Sequence, residues 1–160
     1  MNSFVEILII LALILVNGFF SMAEIALVSA RKVRLEQNAA DGDHGAAIAL
    51  QLNESTSRLL SSVQIGITLV GILTGALGGA TLAEHLTTVL EKVVWLKPYA
   101  SGISLAIVVL LTTYFSLVLG ELIPKRLGLA HPEKIASRVA GFMRFLAKVM
   151  NPVVNLLSAS

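Results

Sequence analysis

Between Ile103 and Leu119 no residue carries a charge, and the run closes in Gly120-Glu121-Leu122-Ile123-Pro124-Lys125. A stretch this long and this apolar crosses a membrane as a helix, because in lipid the backbone must satisfy its own hydrogen bonds. Its end carries chemistry. Proline has no amide hydrogen, so the carbonyl of Gly120, one turn earlier, loses its helical donor. A carboxylate beside a freed carbonyl is a pair of hard oxygen donors of the kind small hard cations take. An ionisable group at bilayer depth is a functional hypothesis by default. The plainer reading is a helix end at the water interface, anchored by Glu121 and Lys125.

Composition agrees with the membrane reading. Hydrophobic residues make up 56% of the 160-residue chain and charged residues 14%, against about 25% charged in soluble domains. The net charge of +2 gives no reason to expect nucleic acid as a partner. Without cysteine there is neither a disulfide framework nor a thiolate metal site. No nucleophile–base arrangement points to an enzyme. The expected fold is all-α: three transmembrane helices plus amphipathic juxtamembrane helices in one transmembrane domain, residues 1–160. The spans fall at about 4–28, 59–83 and 101–123, with helices over about 30–57 and 126–157 on the cytoplasmic face. The first run reads as a retained span rather than a signal peptide, since Met1 to Glu6 holds no cation and the apolar run continues too far.

Each span carries a polar cluster. In the first, Asn17, Ser21 and Glu24 follow one another at helical spacing and share a face, with Gly18, Phe19 and Phe20 on the other sides. In the second, Ser61, Gln64 and Thr68 do the same, followed by Gly71, Gly75 and Gly79, the small-residue pattern that lets helices approach closely. The third cluster is Glu121 with Pro124 and Lys125, which could pair with Glu121 if the helix continued. Between spans one and two, Asp41-Gly42-Asp43-His44-Gly45 signals a solvated turn between two short helices; it lacks the later ligands of a calcium loop. Between spans two and three, Leu86, Val89, Leu90, Val93 and Val94 fit a short interfacial helix, His85 reads as a surface residue, and Trp95 and Tyr99 sit as interface aromatics. After Lys125 an amphipathic pattern with interleaved Lys134, Arg138, Arg144 and Lys148 fits an interfacial helix better than a fourth span.

The connection after span one and the C-terminal segment hold most of the Lys and Arg residues, while the second connection holds Lys92 and Lys97. This bias predicts an N-terminus outside and a C-terminus in the cytoplasm, in the cell's inner membrane. All three clusters then lie toward the cytoplasmic end, where they can converge. Oxygens from three helices around one acid suit Mg²⁺, or Na⁺ as a looser alternative, and the absence of Cys or His at that depth argues against zinc, copper or iron.

Three motifs carry a resemblance: Asn17-Gly18-Phe19-Phe20-Ser21-Met22-Ala23-Glu24-Ile25-Ala26, Ser62-Val63-Gln64-Ile65-Gly66-Ile67-Thr68, and Gly120 to Lys125. In this order they resemble the transmembrane domain of the cyclin M/CorC proteins, including bacterial members often labelled hemolysin-like, over essentially the whole chain. The resemblance implies a three-span homodimer that holds a dehydrated Mg²⁺ among its spans and exports it, with Na⁺ as the proposed coupling ion. Ser21 and Glu121 carry over by position as ligands. The family's cytoplasmic helical bundle and paired CBS modules would lie beyond this sequence. Many members place asparagines where this chain has Ile67 and Gly71, so span-two donors must come from elsewhere. The candidate ion site therefore comprises Ser21, Glu121, Asn17, Gln64, Thr68 and the Gly120 carbonyl. Glu24, Ser62, Pro124, Lys125, Gly71 and Gly75 take structural or gating roles. The alternative is a membrane scaffold or ion sensor that anchors regulatory domains without transport.

Overall fold

A computed structural model describes residues 3–160. Met1 and Asn2, part of the cation-free stretch that argues against a signal peptide, lie outside the described residues. The described residues are helical nearly throughout, with no strand among them. Helix α1 spans Ser3–Ser29. Two short helices follow, α2 (Lys32–Ala40) and α3 (His44–Glu54). Helix α4 (Thr56–Leu77) passes through a wide π-turn, Gly78–Leu82, into α5 (Ala83–Leu90). A tight 3₁₀ turn, Lys97–Tyr99, opens α6 (Ala100–Leu117), which passes through a second π-turn, Val118–Leu122, into α7 (Ile123–Ala130). The last helix is α8 (Pro132–Ala159).

Three segments are long and apolar enough to cross a membrane: Phe4–Ser29, Thr56–Leu90 and Lys97–Ala130. The second and third run further than the sequence pattern suggests, because neither π-turn ends its helix. The separate interfacial helix expected around Leu86 to Val94 is instead α5, the continuation of span two, and Val93 and Val94 lie past its end. Similarly, Pro124 does not break span three. It sits just past the π-turn, where the backbone widens and the Ile123 amide donates to the Val118 carbonyl five residues back.

Contacts between spans fix their directions. Ile14 and Asn17 meet Gly120, Gly18 meets Leu119 and Pro124, and Met22, Ile25 and Ala26 meet Gly128. Numbers rise together, so α1 and α6–α7 run parallel. Span two runs against them: Phe20 lies on Gly66, while Glu6, near the start of α1, reaches His85. The buried apolar core gathers at the end where α1 stops, around Leu27, Leu35, Ala49, Val63, Ala136 and Met143. There α3 and α8 close tightly: a side chain on Gly45 would meet the Ser137 backbone. Phe142 of α8 stacks edge-on against Phe19, with ring centroids 5.5 Å apart. Along the spans the outward residues, among them Ile7, Leu8, Leu15, Ile72 and Leu110, are exposed and apolar, a surface that lipid covers.

Candidate functional site

The parallel seam between α1 and the widened turn of span three holds the candidate site. Because Pro124 withholds the donor that the Gly120 carbonyl would otherwise receive, that oxygen needs another partner. Asn17 supplies one: its Nδ2 donates to the Gly120 carbonyl at 3.3 Å, across a sequence separation of 103 residues. This bond orients the amide, and its other end, Oδ1, is buried without a hydrogen-bond partner. Ser21, one turn along the same face, is 2% exposed. The approach depends on glycine at two points. A Cβ on Gly120 would lie 3.3 Å from both Asn17 Nδ2 and the Ile14 carbonyl, and one on Gly18 would lie 2.8 Å from the Leu119 carbonyl. Gly18 therefore belongs to the seam rather than to an outer side of α1.

Glu121 borders this seam. Because the helix continues, Glu121 and Lys125 sit one turn apart on the same side, and Lys125 Nζ donates to Glu121 Oε1 at 2.6 Å. Both side chains are about two-fifths exposed, 42% for Glu121 and 38% for Lys125. Glu24 is half-buried, a turn beyond Ser21. Along this stretch of the two helices stand a carboxylate paired with an ammonium, a carbonyl held by the Asn17 amide, a buried hydroxyl and an amide oxygen lacking a donor. Among the described residues no three Asp, Glu, His or Cys side chains converge, so any cation here leans on neutral oxygens.

Span two does not join as expected. Gln64 and Thr68 are exposed and line an apolar groove with Val154, Leu157 and Ser158 of α8. Ser61, also exposed, donates to the Ser57 carbonyl. The face that α4 turns toward α1 is the next one round, carrying Ser62, Val63, Gly66 and Val70. Ser62 is 1% exposed and donates to its own helix at the Arg58 carbonyl, 2.9 Å away. Among the described residues Gly71, Gly75 and Gly79 pack against no neighbouring helix: nothing lies within 4 Å of a Cβ built on any of them. Helical spacing placed Ser61, Gln64 and Thr68 on one face, but not on the face that meets span one.

Two features went unread in the sequence. Glu6 is 5% exposed near the start of α1, and His85, exposed as its sequence context suggests, brings Nδ1 within 3.7 Å of that carboxylate. A lone acid in an apolar run was the available signal. Second, Asp43 does more than form a turn. It caps α3 by accepting from the Ala46 amide at 3.2 Å and accepts from Ser137 Oγ at 2.8 and 2.7 Å, tying α3 to α8. The Ser137 hydroxyl, then the Ala46 amide, hold its carboxyl below the ordinary value of 3.8.

Comparison with known proteins identifies the family. Residues 8–160 match the family described as "Cyclin M transmembrane N-terminal domain". The chain is 52% identical over 155 residues to UPF0053 protein sll0260 of Synechocystis, covering 97% of this chain and 35% of that protein. It is 37% identical over 157 residues to the polyamine export protein of Haemophilus influenzae, covering 96% of this chain and 35% of that protein. It is 34% identical over 149 residues to the polyamine export protein of Escherichia coli, covering 93% and 33%. The chain therefore spans about a third of the length of these relatives. A match across nearly the whole chain, on three membrane-length helices with the Asn17–Gly120 seam between two of them, makes this chain a member of the cyclin M transmembrane family, a transporter-type family of multi-pass membrane proteins.

Proposed function

We propose that this chain is the membrane domain of a cation exporter that loads its cargo at the seam between α1 and the Val118–Leu122 turn. The observation that carries the reading is the buried, unpartnered Oδ1 of Asn17, whose Nδ2 holds the carbonyl of Gly120, the residue before Glu121. A buried acceptor without a donor is costly, and a cation is the partner that relieves it. In this reading Ser21 and Asn17 give neutral oxygens and Glu121 gives charge. Lys125 leaves Glu121 when cargo arrives and returns when it departs, so the carboxylate never stands alone in a poorly solvated place. Mg²⁺ is the proposed cargo, since hard oxygens are the donors it takes, with Na⁺ as coupling ion. We place the basic end of the bundle in the cytoplasm of the inner membrane, the protein as a homodimer, and CBS modules in the part of the full-length protein beyond this chain.

A second reading takes a polyamine as cargo. Relatives at 34–37% identity carry the name polyamine export protein. Span two also turns Gln64 and Thr68 away from the seam, which leaves few oxygens for a six-coordinate ion, while an organic ammonium needs fewer and accepts looser geometry.

The test is flux from proteoliposomes holding the full-length protein, loaded in parallel with Mg²⁺ and with spermidine, with and without a Na⁺ gradient. Export of one cargo that falls at least tenfold in Glu121→Gln and in Asn17→Ala, with both variants folded, supports the site and names the cargo. Equal flux in wild type and Glu121→Gln rejects it. No flux of either cargo from a folded wild type favours the scaffold.

A further inference from the structure

A second concavity, rich in charge, lies apart from the seam. It is a polar cleft of ≈640 Å³ where α1 gives way to α2 and α7 to α8. Arg31, Arg34, Lys134 and Arg138 line it, with Asp43 and Glu133 as its carboxylates. Both acids already accept hydrogen bonds there: Asp43 from Ser137 Oγ and the Ala46 amide, and Glu133 Oε1 from the Arg31 backbone amide at 3.4 Å. Among the described residues the ion pairs are His85–Glu6 and Lys125–Glu121, so none of the four cations in the cleft has a carboxylate partner. Four cations against two carboxylates leave the cleft net positive, a field that draws an anion.

Position and shape narrow the anion. The cleft opens where two membrane-length segments, Phe4–Ser29 and Lys97–Ala130, end. Leu129 contributes to its wall, and Leu127 and Leu129 are 54% and 55% exposed on the last turn of α7. Charged wall and apolar flank are therefore contiguous, at the depth where headgroups lie. Guanidinium forks match phosphate oxygens two at a time, and basic pockets at the end of membrane helices suit lipid headgroups.

We propose that this cleft binds the phosphate of an anionic phospholipid, with Arg34 and Arg138 as its principal contacts and the acyl chains lying along α7. The bound lipid ties the α1–α2 corner to the α7–α8 corner. The site is separate from the Asn17–Gly120 seam and stands whether or not that seam transports.

The test is native mass spectrometry of the full-length protein released from nanodiscs of phosphatidylglycerol and phosphatidylcholine. Wild type should retain phosphatidylglycerol selectively. Arg34→Gln/Arg138→Gln should retain it about 25-fold less well, roughly fivefold per cation, while Lys92→Gln/Lys97→Gln, at the other end of the bundle, should match wild type. Arg34→Lys/Arg138→Lys keeps the charge but loses the forks and should fall between. Equal retention by wild type and the Gln pair overturns the proposal. So does an equal loss in the Lys92/Lys97 control, which would report general bilayer charge. Inorganic phosphate that protects the Arg34/Arg138 region while no lipid is retained would assign the cleft to a soluble phosphate and overturn the lipid.

Discussion

Two rows of glycine run through the membrane part of this molecule. Gly18, Gly120 and Gly128 lie where α1 meets span three, each against backbone of the other helix. Gly71, Gly75 and Gly79 lie on span two, evenly spaced, with no neighbouring helix within 4 Å of a built Cβ among the described residues. By sequence pattern the second row looks the better packing motif, and inside the chain it is the first that packs. Small-residue spacing says that a helix face can be approached; the partner helix decides whether it is. What brings span three to α1 is the Gly120 carbonyl, whose need for a donor Asn17 meets.

The largest effect should come from filling the first row. A Cβ on Gly128 would collide with Ile25 and lie 2.8 Å from the Met22 carbonyl. Gly128→Leu should cost at least about 3 kcal/mol, at or beyond the upper range for overpacking, read as lost folded yield in detergent. Gly18→Ala should cost about 1–3 kcal/mol. Asn17→Ala removes the bond to Gly120 and should cost about 1 kcal/mol, seen as a lower unfolding midpoint. The next prediction concerns the α3–α8 contact outside the membrane. Because Asp43 has a folded pKa below its ordinary 3.8, the stability it adds is fully present above the unfolded value and is lost as pH falls through the folded one. An acid titration should loosen α3 against α8 in hydrogen exchange from about pH 4 downward, and Ser137→Ala should weaken that dependence. Smallest of all, Gly75→Ala should change monomer stability by no more than about 0.5 kcal/mol. A Gly75→Ala effect as large as that of Gly18→Ala would erase the contrast between the rows.

Apolar run length gave the three spans, and proline chemistry identified the Gly120 carbonyl as the group in need of a partner. What stayed illegible was rotation about each helix axis. Asn17 and Ser21 stand out as a polar stripe at helical spacing in an apolar run, and the Asn17 end of that stripe meets span three. Gln64 and Thr68 were misplaced because α4 carries polar groups on two adjacent faces, and periodicity alone does not choose between them. The π-turns were also beyond reach. An extra residue in a turn leaves the composition unchanged, yet it carried Glu121 and Lys125 onward in one helix and let them pair. Arg34 and Arg138 were counted for orientation, but their shared cleft depends on how α2 and α8 fold back.

The directions of the spans have an electrostatic consequence. A helix behaves as a rod carrying roughly half a positive charge at its start and half a negative charge at its end. With α1 and α6–α7 aligned and α4–α5 opposed, two rods point one way and one the other. About half an elementary charge is left uncancelled, negative at the end where α1 and α7 stop. Arg31, Lys32, Arg34 and Arg126 stand at that end. Cations usually read only as a label for sidedness thus also neutralise a field that an odd number of crossings cannot avoid.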